Sequence, residues 1–266
     1  MSPRRRLMFL VVGILAVVAV VAVIVAELPE KDAAQPRRSV AQDRPGPVLL
    51  VPGYGGSRAA LAPLADALRD QGREVTVLAL DGDGTGDLNR QVTVLDDAVN
   101  RAVAGGAPSV DVVGYSAGGV VTGLWVARAD GAAKARRVVT LAAPLAGTDL
   151  AASAGAAGVC SGACPQLAPG SALLGELGRA RVGHTVPWLS VWTTGDRTVV
   201  PATSARLDGA VNLELQTVCP GDDADHPGLP RDRAVAGLVN RALSTAPIAE
   251  APAGCDILRA AGRAAR

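Results

Sequence analysis

The sequence predicts an α/β domain with a mostly parallel sheet and helices on both of its faces. Short apolar, β-branched runs recur through residues 47–245, separated by segments whose apolar residues repeat at helical spacing. Strands alternating with helices in this way build parallel sheets that are covered on both sides. A further observation is the stretch 110–119. Its β-branched run ends in Gly114-Tyr115-Ser116-Ala117-Gly118-Gly119 and passes directly into helical spacing at Val120, Val121, Leu124 and Trp125. In so tight a strand–turn–helix, side chains two positions either side of the serine would collide, and glycine at both flanks removes the collision. The hydroxyl of Ser116 is left at the carboxyl end of a strand and the amino end of a helix. Backbone N–H groups there favour developing negative charge.

Size and composition fit one such domain with extensions. The chain has 266 residues, 49% hydrophobic and 19% charged, which is enough for a buried core and unlike a disordered chain. Aromatic content is 2%, so the core is aliphatic and closely spaced. Formal net charge is +1, and the first 46 residues hold 7 of the 26 basic and 4 of the 25 acidic side chains. The remainder carries no basic excess, which argues against a nucleic-acid partner.

Arg4-Arg5-Arg6 precedes an uncharged apolar run at 7–26. Twenty helical residues reach about 30 Å, the thickness of a hydrocarbon core. The run is expected to be a membrane anchor with the arginines cytoplasmic, which puts the domain outside. A signal segment cleaved after Ala26 is the competing reading; the run exceeds the usual h-region, which favours retention. Residues 27–46 turn charged and proline-bearing and read as a flexible linker.

Within the domain, 48–51 is a short buried strand that ends at Pro52-Gly53-Tyr54-Gly55-Gly56. Leu61, Leu64, Ala65 and Leu68 mark one face of a helix, 74–80 alternates into a second strand, and Val92, Leu95, Val99, Ala102 and Val103 mark the next helix. The loop 81–87 has acidic residues at alternate positions but lacks the closing glutamate of a calcium loop, so it reads as the solvated rim of a site. After the serine stretch, 137–144 is a strand and 145–187 reads as irregular, rich in small residues. Further strands are expected at 188–194 and 211–218. Val235, Leu238, Val239, Ala242 and Leu243 then define a closing helix with Pro230 in its first turn. Residues 246–266 are weakly patterned and read as a surface tail.

Four cysteines in an exported domain suggest two disulfides out of three possible connectivities. Cys160 and Cys164 can pair locally, leaving Cys219 to reach Cys255. A zinc site is disfavoured by the spacing and by the presence of only two histidines. No metal and no cofactor are expected.

Those histidines are the candidates for a general base to Ser116. His226 falls in a loop between the last strand and the last helix, at the carboxyl edge of the sheet beside the serine. His184 precedes a strand and reads as solvent-exposed. Asp196 directly follows a strand at the same carboxyl edge and is the candidate to orient the imidazole. Asp222, Asp223 and Asp225 read as the solvated side of the His226 loop. The order Ser116, Asp196, His226 is that of the α/β-hydrolases.

The chain here resembles that family, and within it the small bacterial secreted lipases and esterases with little or no lid. The resemblance spans about 47–243. It rests on Val51-Pro52-Gly53-Tyr54-Gly55-Gly56, Gly114-Tyr115-Ser116-Ala117-Gly118-Gly119, Leu141-Ala142-Ala143-Pro144-Leu145-Ala146-Gly147-Thr148, Gly195-Asp196 and His226. The family usually has His-Gly where this chain has Pro52-Gly53. The resemblance implies an α/β-hydrolase fold without a large lid domain and a Ser116–His226–Asp196 triad. It also implies an oxyanion hole from the backbone N–H groups of Tyr54 and Ala117, and hydrolysis of a small-molecule ester or lipid through an acyl-enzyme. Leu145, Leu150, Leu167, Leu173 and Leu174 either line an apolar acyl pocket or belong to the core. Transfer to an acceptor alcohol by the same triad, and a non-catalytic binding role, are the rival readings. The protein is expected to act as a monomer outside the cytoplasm.

Overall fold

The structure, a computed structural model, describes residues 40–160, 162–248 and 253–263. The apolar run at 7–26 and most of the linker lie outside the described residues. Among the described residues no helix is long and apolar enough to cross a membrane.

Six strands form one sheet in the order β2-β1-β3-β4-β5-β6: β1 (Val48–Val51), β2 (Val75–Val77), β3 (Val110–Tyr115), β4 (Ala135–Leu141), β5 (Trp188–Trp192) and β6 (Val211–Glu214). Every pairing is parallel. Alternation along the strands sorts their side chains onto two cores. Leu49, Val51, Val110, Val112 and Val138 face one side, packed under α2 (Leu88–Ala104) and α3 (Ala117–Arg128). Val48, Leu50, Val113, Tyr115, Val139 and Leu141 face the other, under α1 (Ala62–Asp70) and a helix near the end of the domain. Helices therefore cover both faces, and β3 and β4 are buried along their whole length.

Several elements differ from the sequence expectation. The segment 145–187 is helical rather than irregular, with α4 (Asp149–Ala156), α5 (Ala163–Leu167) and α6 (Ala172–Ala180). Ser171 caps α6 by accepting from the Leu174 N–H, and Leu173, Leu174 and Leu177 turn inward. Small residues hid this pattern because alanine and glycine carry little periodic contrast. The last strand stops at Glu214, where a single helical turn (Leu215–Val218) replaces its expected second half. The closing helix α7 (Arg233–Ala242) starts after Pro230. Its cap is Asp232, which accepts from the Ala234 and Val235 N–H groups. Past Ala246 the chain is not featureless: α8 (Cys255–Ala261) buries Leu258 against α7. The two approach so closely that a Cβ on Gly237 would lie 2.1 Å from the Leu258 carbonyl oxygen.

Both disulfides have the expected partners, Cys160 with Cys164 and Cys219 with Cys255. Two bridges point to an oxidising, extracytoplasmic setting.

Candidate active site

Ser116 sits at the junction of β3 and α3 with φ 52° and ψ −127°, a backbone conformation that ordinary residues rarely hold. The surrounding glycines are what allow it. A Cβ on Gly114 would meet the Gly119 Cα at 2.6 Å, one on Gly118 the Val51 carbonyl oxygen at 2.3 Å, and one on Gly119 the Ala143 Cβ at 2.4 Å. The turn is held from outside as well, because the Ser116 N–H donates to the Leu141 carbonyl at 2.8 Å.

The structure brings the three expected side chains together. His226 Nε2 lies 3.0 Å from Ser116 Oγ, and His226 Nδ1 lies 2.7 Å from Asp196 Oδ2. An ionised carboxylate only accepts, so Nδ1 carries the proton and Nε2 is left to accept from the serine hydroxyl. The second carboxylate oxygen, Asp196 Oδ1, is fixed by the N–H groups of Thr198 and Val199, each at 2.8 Å. With both oxygens engaged, the carboxylate cannot turn away from the ring. The loop carrying Asp196 is tied to the loop after β4: Thr148 Oγ1 donates to the Thr198 carbonyl at 2.7 Å and accepts from the Val200 N–H at 3.0 Å. Ser116, Asp196 and His226 are each less than one-tenth exposed.

The loop of His226 is braced around its circumference. Thr193 Oγ1 donates to the Ala224 carbonyl at 2.6 Å, and Gln216 Nε2 donates to the Asp222 carbonyl at 3.1 Å. Asp225 Oδ1 accepts from the Gly228 N–H. Asp222 is not on a solvated edge as expected: its side chain is buried, accepting from Arg259 on α8 and from the Ala224 N–H. Asp223 and Asp225 are exposed.

Tyr54 and Ala117, the expected oxyanion donors, flank the serine. A Cβ on Gly53 would fall 2.9 Å from the Ser116 Cβ, so the chain after β1 passes against the serine side chain with Tyr54 next in line. Ala117 is the first residue of α3, and its N–H lies within the unsatisfied first turn. Among the described residues neither N–H donates to a backbone acceptor, whereas the Gly55 and Gly56 N–H groups are taken by Gly84 and Gly53. The loop at 81–87 backs this segment through Gly84. It is itself anchored by the buried Gln91, which accepts from the Asp81 N–H and donates to its carbonyl. Among the described residues no cluster suited to a metal ion occurs.

His184 is outside this arrangement. It lies before β5, 42% exposed at its side chain, with Nε2 2.9 Å from Asp208 and 3.0 Å from an Arg181 nitrogen. The hydrogen bond from His184 holds the Asp208 carboxyl below its ordinary range. Of the five leucines left between pocket and core, Leu145, Leu167, Leu173 and Leu174 are buried in the core beside α3; Leu150 alone is half exposed.

Sequence reasoning missed one neighbour of the triad. Tyr115, the residue before the serine, donates its hydroxyl to the His226 carbonyl at 3.1 Å. Burial, and then the charge of Asp196, raises this phenol above its ordinary range, so it stays a donor. The signal was present as a large aromatic with a polar tip inside an otherwise aliphatic stretch.

No protein-family model matches the chain. Solved structures do resemble it. Lipase B of Aspergillus fumigatus superposes with a TM-score of 0.68 at 19% identity, covering 85% of this chain and 59% of that one. The mature lipase BlEst2 of Bacillus licheniformis gives 0.59 at 17%, covering 75% and 92%. An extracellular α/β-hydrolase from a Paenibacillus species gives 0.51 at 17%, covering 74% and 99%. The chain thus spans little more than half of the Aspergillus enzyme. At these identities the likeness defines the fold, which is that of the α/β-hydrolases, and no large lid occurs among the described residues.

Proposed function

We propose that the protein is a serine hydrolase that cleaves carboxylic esters, with Ser116 as nucleophile, His226 as general base and acid, and Asp196 as the group that orients it. The observation that carries this reading is the relay of 3.0 Å and 2.7 Å from hydroxyl to imidazole to carboxylate. As Ser116 Oγ attacks an ester carbonyl carbon, its proton passes to His226 Nε2, and Asp196 stabilises the imidazolium. The carbonyl oxygen becomes an oxyanion facing the Tyr54 and Ala117 N–H groups. Collapse of the tetrahedral intermediate expels the alkoxide, which takes the proton from Nε2 and leaves an acyl-serine. Water, deprotonated by the same nitrogen, releases the acid and restores the serine.

The lipases among the structural neighbours favour an ester or lipid substrate. The two disulfides favour work outside the cytoplasm, and the arginine-flanked apolar run at 7–26 supplies the export or tethering segment. Hydrolysis of p-nitrophenyl butyrate and labelling by a fluorophosphonate test the assignment. Ser116→Ala is expected to lower kcat by at least roughly 10⁴-fold and to abolish labelling, with an unchanged melting temperature. Turnover retained in that variant would refute the nucleophile.

A further inference from the structure

The loop that carries His226 is braced at Asp222, Ala224 and Gly228, yet none of those bonds touches His226 itself. Among the described residues, one hydrogen bond is made to the His226 backbone: the Tyr115 hydroxyl donates to its carbonyl at 3.1 Å. The Tyr115 ring also lies against the imidazole, with centroids 5.2 Å apart and planes inclined by 36°. Tyr115 is covalently next to Ser116, so the two Cα atoms are fixed about 3.8 Å apart by the trans peptide. Tyr115 is 8% exposed and belongs to the core on the face of the sheet that also holds Val113, Leu141 and Leu229.

We infer that Tyr115 is a positioning residue, a rigid spacer that sets the gap between the serine hydroxyl and the imidazole by gripping the base through ring and carbonyl together. This rests on the serine-hydrolase reading for its consequence in rate, though not for its geometry. Asp196 alone leaves the ring free to pivot about the Nδ1 bond toward or away from Ser116. Contact with Tyr115 on the ring and on the main chain removes that freedom, and does so from the strand that bears the nucleophile. Any shift of β3 therefore carries the base along with the serine, so the 3.0 Å separation survives small motions of the sheet.

Tyr115→Phe keeps the ring and deletes the hydroxyl, and the bracing at Ala224 and Asp222 keeps the loop folded. For p-nitrophenyl butyrate, kcat is expected to fall roughly three- to tenfold, the worth of one hydrogen bond expressed in a rate, with KM changed by less than about twofold. The melting temperature is expected to move by no more than about 3 °C. Tyr115→Leu, which also removes the ring, is expected to lose more of kcat. Because the chain has two histidines, imidazole NMR in a His184→Asn background reports on His226 alone. Its Nδ1 proton is expected to exchange faster in Tyr115→Phe. An unchanged imidazole spectrum overturns the inference whatever the rate does, and so does an unchanged kcat in an active enzyme. A fall in kcat that merely follows a fall in melting temperature also overturns it, since that is a structural role. If the wild type hydrolyses no ester and takes no fluorophosphonate while the spectrum still changes, the hydrolase reading fails and the positioning geometry stands.

Discussion

Strand β3 carries a buried polar side chain at each end, and the two ends use it in opposite ways. Near the amino end, Asp111 Oδ2 accepts from Arg73 and from Arg136, with the Asp111 and Arg136 side chains fully buried. Five residues further, about 16 Å along the strand, stands Ser116. At the amino edge the arginines are held mainly by main-chain carbonyls, although the buried Arg136 Nε and Asp111 Oδ1 make no hydrogen bond among the described residues. Arg136 donates to the carbonyls of Gln42, Leu243 and Ser244, Arg137 to those of Ala242, Thr245 and Ala246, and Arg73 to those of Gly46 and Leu243. Burial, followed by repulsion from Arg136, lowers the Arg137 guanidinium below its ordinary range. These cations cap the last carbonyls of α7 and staple the linker and the chain after α7 to the base of the sheet. At the carboxyl edge Ser116, His226 and Asp196 form a chain of hydrogen bonds, and the serine is held in a backbone conformation it would not choose. The lesson is that burial of polar groups alone does not mark a site built for chemistry. Charge locked to carbonyls stabilises, whereas a relay with one proton free to move can react.

Three substitutions sharpen that contrast. The largest effect is expected from Asp196→Asn, which leaves the geometry but spoils the tautomer of His226; kcat should drop roughly 10⁴-fold with little loss of stability. A fall smaller than tenfold in steady-state assays would take Asp196 out of the relay. Asp111→Ala should do the reverse. Removing the carboxylate leaves Arg136 buried without its counter-charge and should cost roughly 3–5 kcal/mol in urea unfolding. The kcat of the remaining folded enzyme should hold within about twofold, because the site is too distant to couple. If stability is unmoved, the amino-edge cluster is not a staple. The smallest effect is expected from His184→Ala. It loses only a solvent-exposed pair with Asp208, should leave stability nearly unchanged, and should keep esterase activity within about twofold. Loss of turnover there would reverse the choice between the two histidines.

Much of this was legible in the sequence, for definable reasons. The strands at 48–51 and 110–115 are apolar, β-branched runs, interrupted only by Asp111 in the second, with Pro-Gly after the first and Gly114 near the end of the other, and these found their places. Ser116 and Asp196 could be read because each comes within a few residues of a strand's carboxyl end, and His226 because its loop joins the last strand to the closing helix; the ends of parallel strands converge. The helices between 149 and 180 were not legible, since alanine and glycine populate both faces and leave no apolar stripe except at Leu173, Leu174 and Leu177. Nor was the amino-edge cluster. Arg136 and Arg137 look like the solvated start of a strand, and only the carbonyls at the end of α7, brought there by the fold, explain why they are buried. Pro230 misled because proline favours both a first helical turn and the 3₁₀ turn it occupies here.

The clasp formed by α8 couples the end of the described chain to the loop of His226. Cys255 is bonded to Cys219 seven residues before the imidazole, and Arg259 reaches back to Asp222 in the same loop. Together these two ties fasten α8 to both Cys219 and Asp222, on the amino-terminal side of His226 in its loop. Tension or loss at the carboxyl-terminal segment is therefore felt directly in the loop that holds the imidazole, through one covalent bond and one ion pair.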